Sequence, residues 1–195
     1  MIKRLSEATM TRVETPVQII NLKELNTDGL ILDIGGGGEG LVSRIGGGRV
    51  CAVDIRMSEI REAQIHGAPA NWIVSDGQKL SFRDASFDTV TLWFSLGYIR
   101  EWSKKLRVLE EVKRVLTRGG ELSILAMRIP DSTEQFIFWA HFTLPDGEIS
   151  KTGYGVRGNQ GQTLEKLIDL LNESEFKILN TEDHGDWFSI SATPS

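Results

Sequence analysis

The sequence, 195 residues long, has one cysteine, five scattered prolines, two tyrosines and no surplus of positive charge. Each scarcity excludes something. Cys51 alone cannot close an internal disulfide, so the fold must rest on its apolar core; this fits a reducing compartment, and a cytoplasmic protein is expected. With no proline-rich linker, repeat or low-complexity tract, one domain spanning 1–195 is expected. Twenty-two basic against 27 acidic side chains give net −5, a balance that repels phosphate backbones and anionic lipid, so neither nucleic acid nor a membrane is an expected partner. The densest basic stretch, Lys104, Lys105, Arg107, Lys113, Arg114 and Arg118, is interleaved with Glu110 and Glu111 at helical spacing and reads as a solvated helix face. No apolar run approaches the roughly 20 residues that cross a bilayer as a helix. There is no H-E-x-x-H and no paired Cys-x-x-Cys, and no metal site is expected.

What the chain has instead is glycine, 20 of them, four adjacent in ILDIGGGGEG at 31–40. The apolar run LILDI entering these glycines suits a buried parallel strand. Alternation then continues: GLVSRI as a short helix, RVCAVDI as a strand, and SEIREAQIH as a helix capped by Ser58. NWIVSD and FDTVTLWFS make the third and fourth strands. SKKLRVLEEVKRVL makes a long amphipathic helix stopped at Gly119-Gly120, and ELSILAMRI the fifth strand. This order over the first 129 residues predicts an α/β, doubly wound, Rossmann-like sheet. FIFWAHFTLP and EISKTGYGVRG flank Asp146-Gly147, a tight-turn dipeptide, and predict an inserted β-arm over 134–158 after strand five. A helix, QTLEKLIDLLNES, and a hairpin, FKILNTED with DWFSISAT joined at His184-Gly185, fill 162–193. The expected sheet is thus seven-stranded, mostly parallel, and ends in an antiparallel pair. Residues 1–28 form a covering segment in which TPVQIINLKEL is expected to be a helix over the carboxyl edge of the sheet.

In such a sheet ligands bind beyond the carboxyl ends of the strands, and the first strand-to-helix turn, Gly35 to Gly40, lies there. Glycines 35, 37 and 40 spell G-x-G-x-x-G, which fits a dinucleotide pyrophosphate as well as S-adenosylmethionine. Asp33 separates the two by charge: a carboxylate here attracts the ammonium of a methionine tail and repels a pyrophosphate. Asp54, at the end of strand two, is placed to accept from ribose hydroxyls of either ligand. Asp76 can accept from an adenine amine, with the backbone near Gly77 and Gln78 at the ring edge.

LILDIGGGGEG, AVDI, SDGQKLSFRDASFDTVTLWFSLGYI and LEEVKRVLTRGGELSIL, in this order and spacing, resemble successive motifs of the class I S-adenosylmethionine-dependent methyltransferases, in particular the quinone-biosynthesis-like group. The resemblance covers about 100 residues, from 30 to 128, the expected cofactor-binding core. It implies that Asp33, Gly35, Gly36 and Gly37 hold the methionine part, Asp54 and Ile55 the ribose, Asp76, Gly77 and Gln78 the adenine, and that Trp93 and Phe94 line the cofactor. The family pattern D-x-G-x-G-x-G is broken by Glu39, which stands where the third glycine would be; a helix-starting role for it is expected.

Methyl transfer from a sulfonium is an in-line displacement with a neutral leaving group, so no protein nucleophile is needed, and a base is needed only if the acceptor has a proton to lose. Tyr98, Arg100, His141 and Tyr154 are the candidates near the expected acceptor approach, with Trp139 and Arg157 alongside on the arm. His66 and His184 are assigned no chemistry. LWFSLGYI lacks the Asn-Pro-Pro-Tyr type tetrapeptide of amide and adenine methyltransferases, which argues against such nitrogens. The expected function is methylation of a small-molecule acceptor, with FIFWAHF leaning towards an apolar or aromatic one. A non-catalytic cofactor-binding or assembly module and a dinucleotide oxidoreductase are the alternatives, and the arm is a candidate homodimer contact.

Overall fold

The computed structural model describes residues 12–25, 28–66, 69–131, 133–157 and 161–195. The first eleven residues of the expected covering segment, and Gly158 at the end of the expected arm, lie outside the described residues. In chain order the strands and α-helices are β1 (Arg12–Glu14), β2 (Gln18–Asn21), β3 (Ile31–Ile34), α1 (Leu41–Gly46), β4 (Val50–Asp54), α2 (Met57–Ile65), β5 (Asn71–Val74), β6 (Phe87–Trp93), α3 (Trp102–Val115), β7 (Leu116–Met127), β8 (Gln135–Thr143), β9 (Ile149–Arg157), α4 (Leu164–Glu173), β10 (Phe176–Asp183) and β11 (Trp187–Pro194).

Seven strands form one sheet in the order β10-β11-β7-β6-β3-β4-β5. The pairs from β7 to β5 are parallel, and β11 runs antiparallel to both β7 and β10. This is an α/β Rossmann-like fold. All four residues of β3 are buried, as are Val90, Thr91 and Leu92 of β6, so the central strands can carry apolar side chains on both faces. Helix α3 buries Val108, Leu109, Val112 and Val115 and presents the charged residues Arg107 and Glu110 to solvent. Each such aliphatic side chain contributes roughly 1.5–3 kcal/mol on full burial. Helix α4 buries Leu167, Leu170 and Leu171 and is capped by Thr163, whose hydroxyl accepts from the Lys166 amide.

A second sheet stands apart, built on β8. Strand β9 pairs with it antiparallel, and β1 and β2 pair with it in parallel, one after the other. Its buried face carries Phe136, Phe138, Ala140 and Phe142, which pack with Ile20, Leu22, Phe94 and Met127.

Four local expectations are corrected. TPVQIINLKEL is not a helix: Gln18–Asn21 is strand β2, because Ile20 and Leu22 are buried while Ile19 and Asn21 beside them are exposed, a period of two rather than 3.6. Ser58 is not the cap of α2. The helix starts at Met57, and its entry is fastened by Asp54, whose Oδ1 accepts from the Arg56 amide at 2.8 Å. The long helix ends at Val115, four residues before Gly119, because Leu116 is already extended and paired with Phe87; the two glycines lie inside β7, where its register with β6 shifts. Lys105 does not belong to a solvated face: it is buried, bonded to Gln162 Oε1 at 2.6 Å and set over the Trp102 ring, and burial lowers its pKa to about 8.

Candidate active site

A crevice of about 690 Å³ opens where β3, β4 and β5 end, lined by the glycine turn, Asp54, Ile55, Asp76, Gly77, Gln78 and the segment after β6. Its far wall comes from the second sheet, through Thr152, Gly153 and Tyr154 of β9. Every expected cofactor-side residue therefore lies in one cavity.

Asp33 is buried and accepts a 2.6 Å hydrogen bond from the Thr91 hydroxyl of the neighbouring strand. Burial pushes its pKa up to about 7; the Thr91 bond opposes this and the Asp54 charge adds to it. What stands against the bare backbone of the glycines is the protein itself. A Cβ on Gly36 would collide with the Asp33 carboxylate, one on Gly37 with Glu59 and the Asp54 carboxylate, and one on Gly35 with Ser95. Gly35 also has φ +75, the left-handed region that suits glycine. The turn's amides are spent inward: those of Gly35 and Gly36 donate to Val53 O (2.8 and 3.2 Å), that of Gly37 to Asp54 Oδ2 (3.3 Å), and that of Gly38 to Glu59 O (2.9 Å). So the turn presents carboxylates, rather than a row of free amides, to whatever enters.

Asp76 closes on itself: its Oδ1 accepts from the Gln78 amide at 2.9 Å. The missing side chain of Gly77 would meet Ile34 and Val108, so this turn is glycine for packing. Trp93 donates its indole N–H to Ser123 Oγ at 3.0 Å. Phe94 follows at φ +57, a conformation that costs a bulky residue roughly 1–3 kcal/mol. It is held there by aromatic stacking, with Tyr154 at 5.2 Å and Phe138 at 5.4 Å.

The candidates for acceptor chemistry divide. Tyr98 and Arg100 line the crevice, and Tyr154 forms part of its wall. Burial pushes the Tyr98 phenol up to about 12, and it pushes Tyr154 well above the usual range, where the Glu39 charge raises it further. Both phenols keep their protons at neutral pH and can donate but not serve as bases. His141 is not in the crevice: on β8 it alternates with the buried Ala140 and Phe142, and it pairs opposite Ile19 and Lys151. Trp139 and Arg157 share that outward face, Trp139 donating its indole N–H to Glu14 at 3.1 Å. Sequence reasoning overlooked Ser95, whose buried hydroxyl has no partner among the described residues, and Thr91 beneath Asp33. It also misjudged Glu39, which precedes α1 and bonds to the Ser150 hydroxyl of β9. Its departure from the family pattern was the available signal.

With this geometry in hand, comparison with known proteins is specific. A family profile described as a methyltransferase domain matches residues 32–124. The demethylmenaquinone methyltransferase of Thermotoga maritima is 40% identical over 81 residues, covering 42% of this chain and 33% of that protein. A ubiquinone/menaquinone biosynthesis C-methyltransferase of Hydrogenovibrio crunogenus is 32% identical over 117 residues, covering 54% and 45%. The chain thus spans a third to under half of the length of these relatives. Among solved structures, an S-adenosylmethionine-dependent methyltransferase of Methanosarcina mazei superposes with TM-score 0.63 at 22% identity, covering 87% of this chain and 94% of that one. Fold and profile agree on what the chain is similar to, the S-adenosylmethionine-dependent methyltransferases. Residues 32–124 are thus similar to a methyltransferase domain, and S-adenosylmethionine is the cofactor named for the structural relative.

Proposed function

We propose that the chain transfers the methyl group of S-adenosylmethionine to a small-molecule acceptor, by in-line attack of the acceptor on the sulfonium carbon. The observation that carries this reading is the choice of groups facing the crevice. Asp33, Asp54 and Asp76 stand at the ends of adjacent strands, while four successive glycine amides are already bonded within the protein. A ligand with an ammonium, two ribose hydroxyls and an exocyclic amine supplies donors to such acceptors. A pyrophosphate needs the amides and meets the carboxylates, so the dinucleotide reading fails on charge.

In this assignment Asp33 with Gly35, Gly36 and Gly37 holds the methionine part, Asp54 and Ile55 the ribose, and Asp76, Gly77 and Gln78 the adenine, with Trp93 and Phe94 beside the transferable methyl. The protein's contribution is alignment and exclusion of water, since the sulfonium leaves as a neutral thioether. Strand β9 and the aromatic stack of Phe94 and Tyr154 close the acceptor side. The quinone substrates named for the relatives belong to proteins of which this chain spans less than half, and a ring-bearing acceptor suits the aromatic wall without requiring a quinone. The test is calorimetric titration with S-adenosylhomocysteine and NADH, followed by transfer of a labelled methyl group to an acceptor panel. Micromolar binding of the first, none of the second and label transfer are expected. Binding of NADH alone overturns the reading, and binding without transfer to any acceptor favours a non-catalytic module.

A further inference from the structure

The carboxylates of the crevice are not equally provided for. Those of Asp33, Asp54 and Asp76 are held by Thr91, by the Arg56 and Gly37 amides, and by Gln78. Glu59 faces the Arg56 guanidinium at 3.4 Å, and Glu101 the Lys104 ammonium at 2.7 Å. Glu39 and Glu62 also line the crevice and have no ion-pair partner within 4.0 Å among the described residues. Glu39 accepts only from the Ser150 hydroxyl, and Glu62 has no partner among the described residues. Yet one oxygen of each, with a ring nitrogen of His66, fall within 4.8 Å of one another. Two negative charges so close repel, and a positive charge between them turns that repulsion into attraction.

Other groups on the adjoining walls also await a ligand. Among the described residues neither the buried Ser95 hydroxyl nor the Tyr154 hydroxyl has a partner. The Tyr154 ring stacks on Phe94, so aromatic side chains line the same crevice as the two carboxylates, and aromatic faces attract cations. Of the cationic side chains in the crevice, Arg56 and Lys104 are paired, and Arg100 alone has no carboxylate partner.

We infer that the methyl acceptor is a small amine with an apolar body, entering as an ammonium ion drawn to Glu39 and Glu62, its apolar part against Tyr154 and Phe94. This rests on the methyl-transfer reading and deepens it. The ammonium gives one proton to the Glu39 carboxylate, which frees the nitrogen lone pair. That lone pair forms the N–C bond to the sulfonium methyl as the S–C bond breaks, and the bonding electrons stay on sulfur, leaving a neutral thioether. The methylated amine departs as an ammonium ion, and the proton on Glu39 returns to water.

The experiment uses full-length protein saturated with S-adenosylhomocysteine, whose own ammonium is then already in place. Three probes of like size are titrated by calorimetry at neutral pH: 2-phenylethylamine, 2-phenylethanol and 3-phenylpropanoate. The amine is expected to bind at least tenfold tighter than the alcohol, and the carboxylate not at all. In the Glu39→Gln, Glu62→Gln double variant the amine falls to the level of the alcohol, while affinity for S-adenosylhomocysteine stays within twofold. If the double variant fails to fold, the exposed Glu62→Gln change alone must weaken the amine severalfold. Equal binding of alcohol and amine, preference for the carboxylate (which would point to Arg100), no binding of any probe, or unchanged amine affinity in the variants overturns the inference. Failure of the wild-type protein to bind S-adenosylhomocysteine sinks the methyl-transfer reading itself, before any amine is added.

Discussion

The two walls of the crevice are built by different kinds of sequence information. On the cofactor wall each functional residue sits near the end of its own strand, a few residues from a glycine or helix start: Asp33 is the last residue but one of β3, Asp54 ends β4, and Asp76 follows β5. Two of the three are held by contacts short in sequence, Asp54 on the Arg56 amide and Asp76 on the Gln78 amide, while Asp33 relies on Thr91 of the neighbouring strand. The acceptor wall joins residues far apart, Tyr154 stacking on Phe94 and Glu39 meeting Ser150. The cofactor wall is coded largely by local spacing and the acceptor wall by tertiary pairing.

Substitutions on either wall sharpen or break that contrast. The largest effect is expected for Gly36→Val, whose side chain would displace the Asp33 carboxylate. Affinity for S-adenosylhomocysteine should fall by more than roughly a hundredfold, about 3 kcal/mol, by calorimetry. Asp54→Ala should weaken it by roughly ten- to a hundredfold, in line with the loss of charge-assisted hydrogen bonds; unchanged affinity would remove the ribose assignment.

Asp33→Asn is expected to cost roughly tenfold in affinity for S-adenosylmethionine at pH 8, and to act oppositely on the empty protein. In the folded chain this carboxyl titrates at about 7, above its unfolded value of 3.8. The folded state therefore binds more protons between those values, and its stability is full below the lower one and declines as pH rises through the upper one. The asparagine variant should lose that decline, so its Tm without ligand exceeds that of the wild type at pH 8 and not at pH 4. A wild-type Tm that rises between pH 5 and 8 through this residue would contradict the burial argument.

On the acceptor wall, Tyr154→Phe should leave S-adenosylhomocysteine affinity within about twofold and lower turnover of an accepted substrate severalfold, because the hydroxyl has no partner among the described residues and only a hydrogen bond to the acceptor is at stake. The smallest effect belongs to His141→Ala, which should change neither binding nor turnover beyond about twofold, since the side chain faces away from the crevice. Loss of turnover in that variant would mean that the second sheet presents its other face to the substrate.

The same contrast governs what could be read from the sequence. Strand–helix alternation, the glycine turn and the three aspartates were legible because each is a local pattern with a local physical cause. The β2 segment was misread because Ile19, Leu22 and Leu25 recur at the i, i+3 spacing of a helical stripe, and only pairing with β8 selects the alternation of Ile20 and Leu22. His141 was grouped with Tyr154 because both lie on the arm, but they belong to faces that register alone distinguishes. Lys105 looked like its charged neighbours on α3, and its burial depends on Gln162, 57 positions away. The partner of Glu39 lies 111 positions away, so its place on the acceptor wall was equally out of reach.

The most direct measurement is a crystal structure with S-adenosylhomocysteine. The account predicts the amino group of the ligand near Asp33, its ribose hydroxyls on Asp54, its adenine by Asp76 and Gly77, and its sulfur facing Phe94 and Tyr154. A ligand found elsewhere on the molecule, or in the crevice with adenine and methionine ends exchanged, would contradict it.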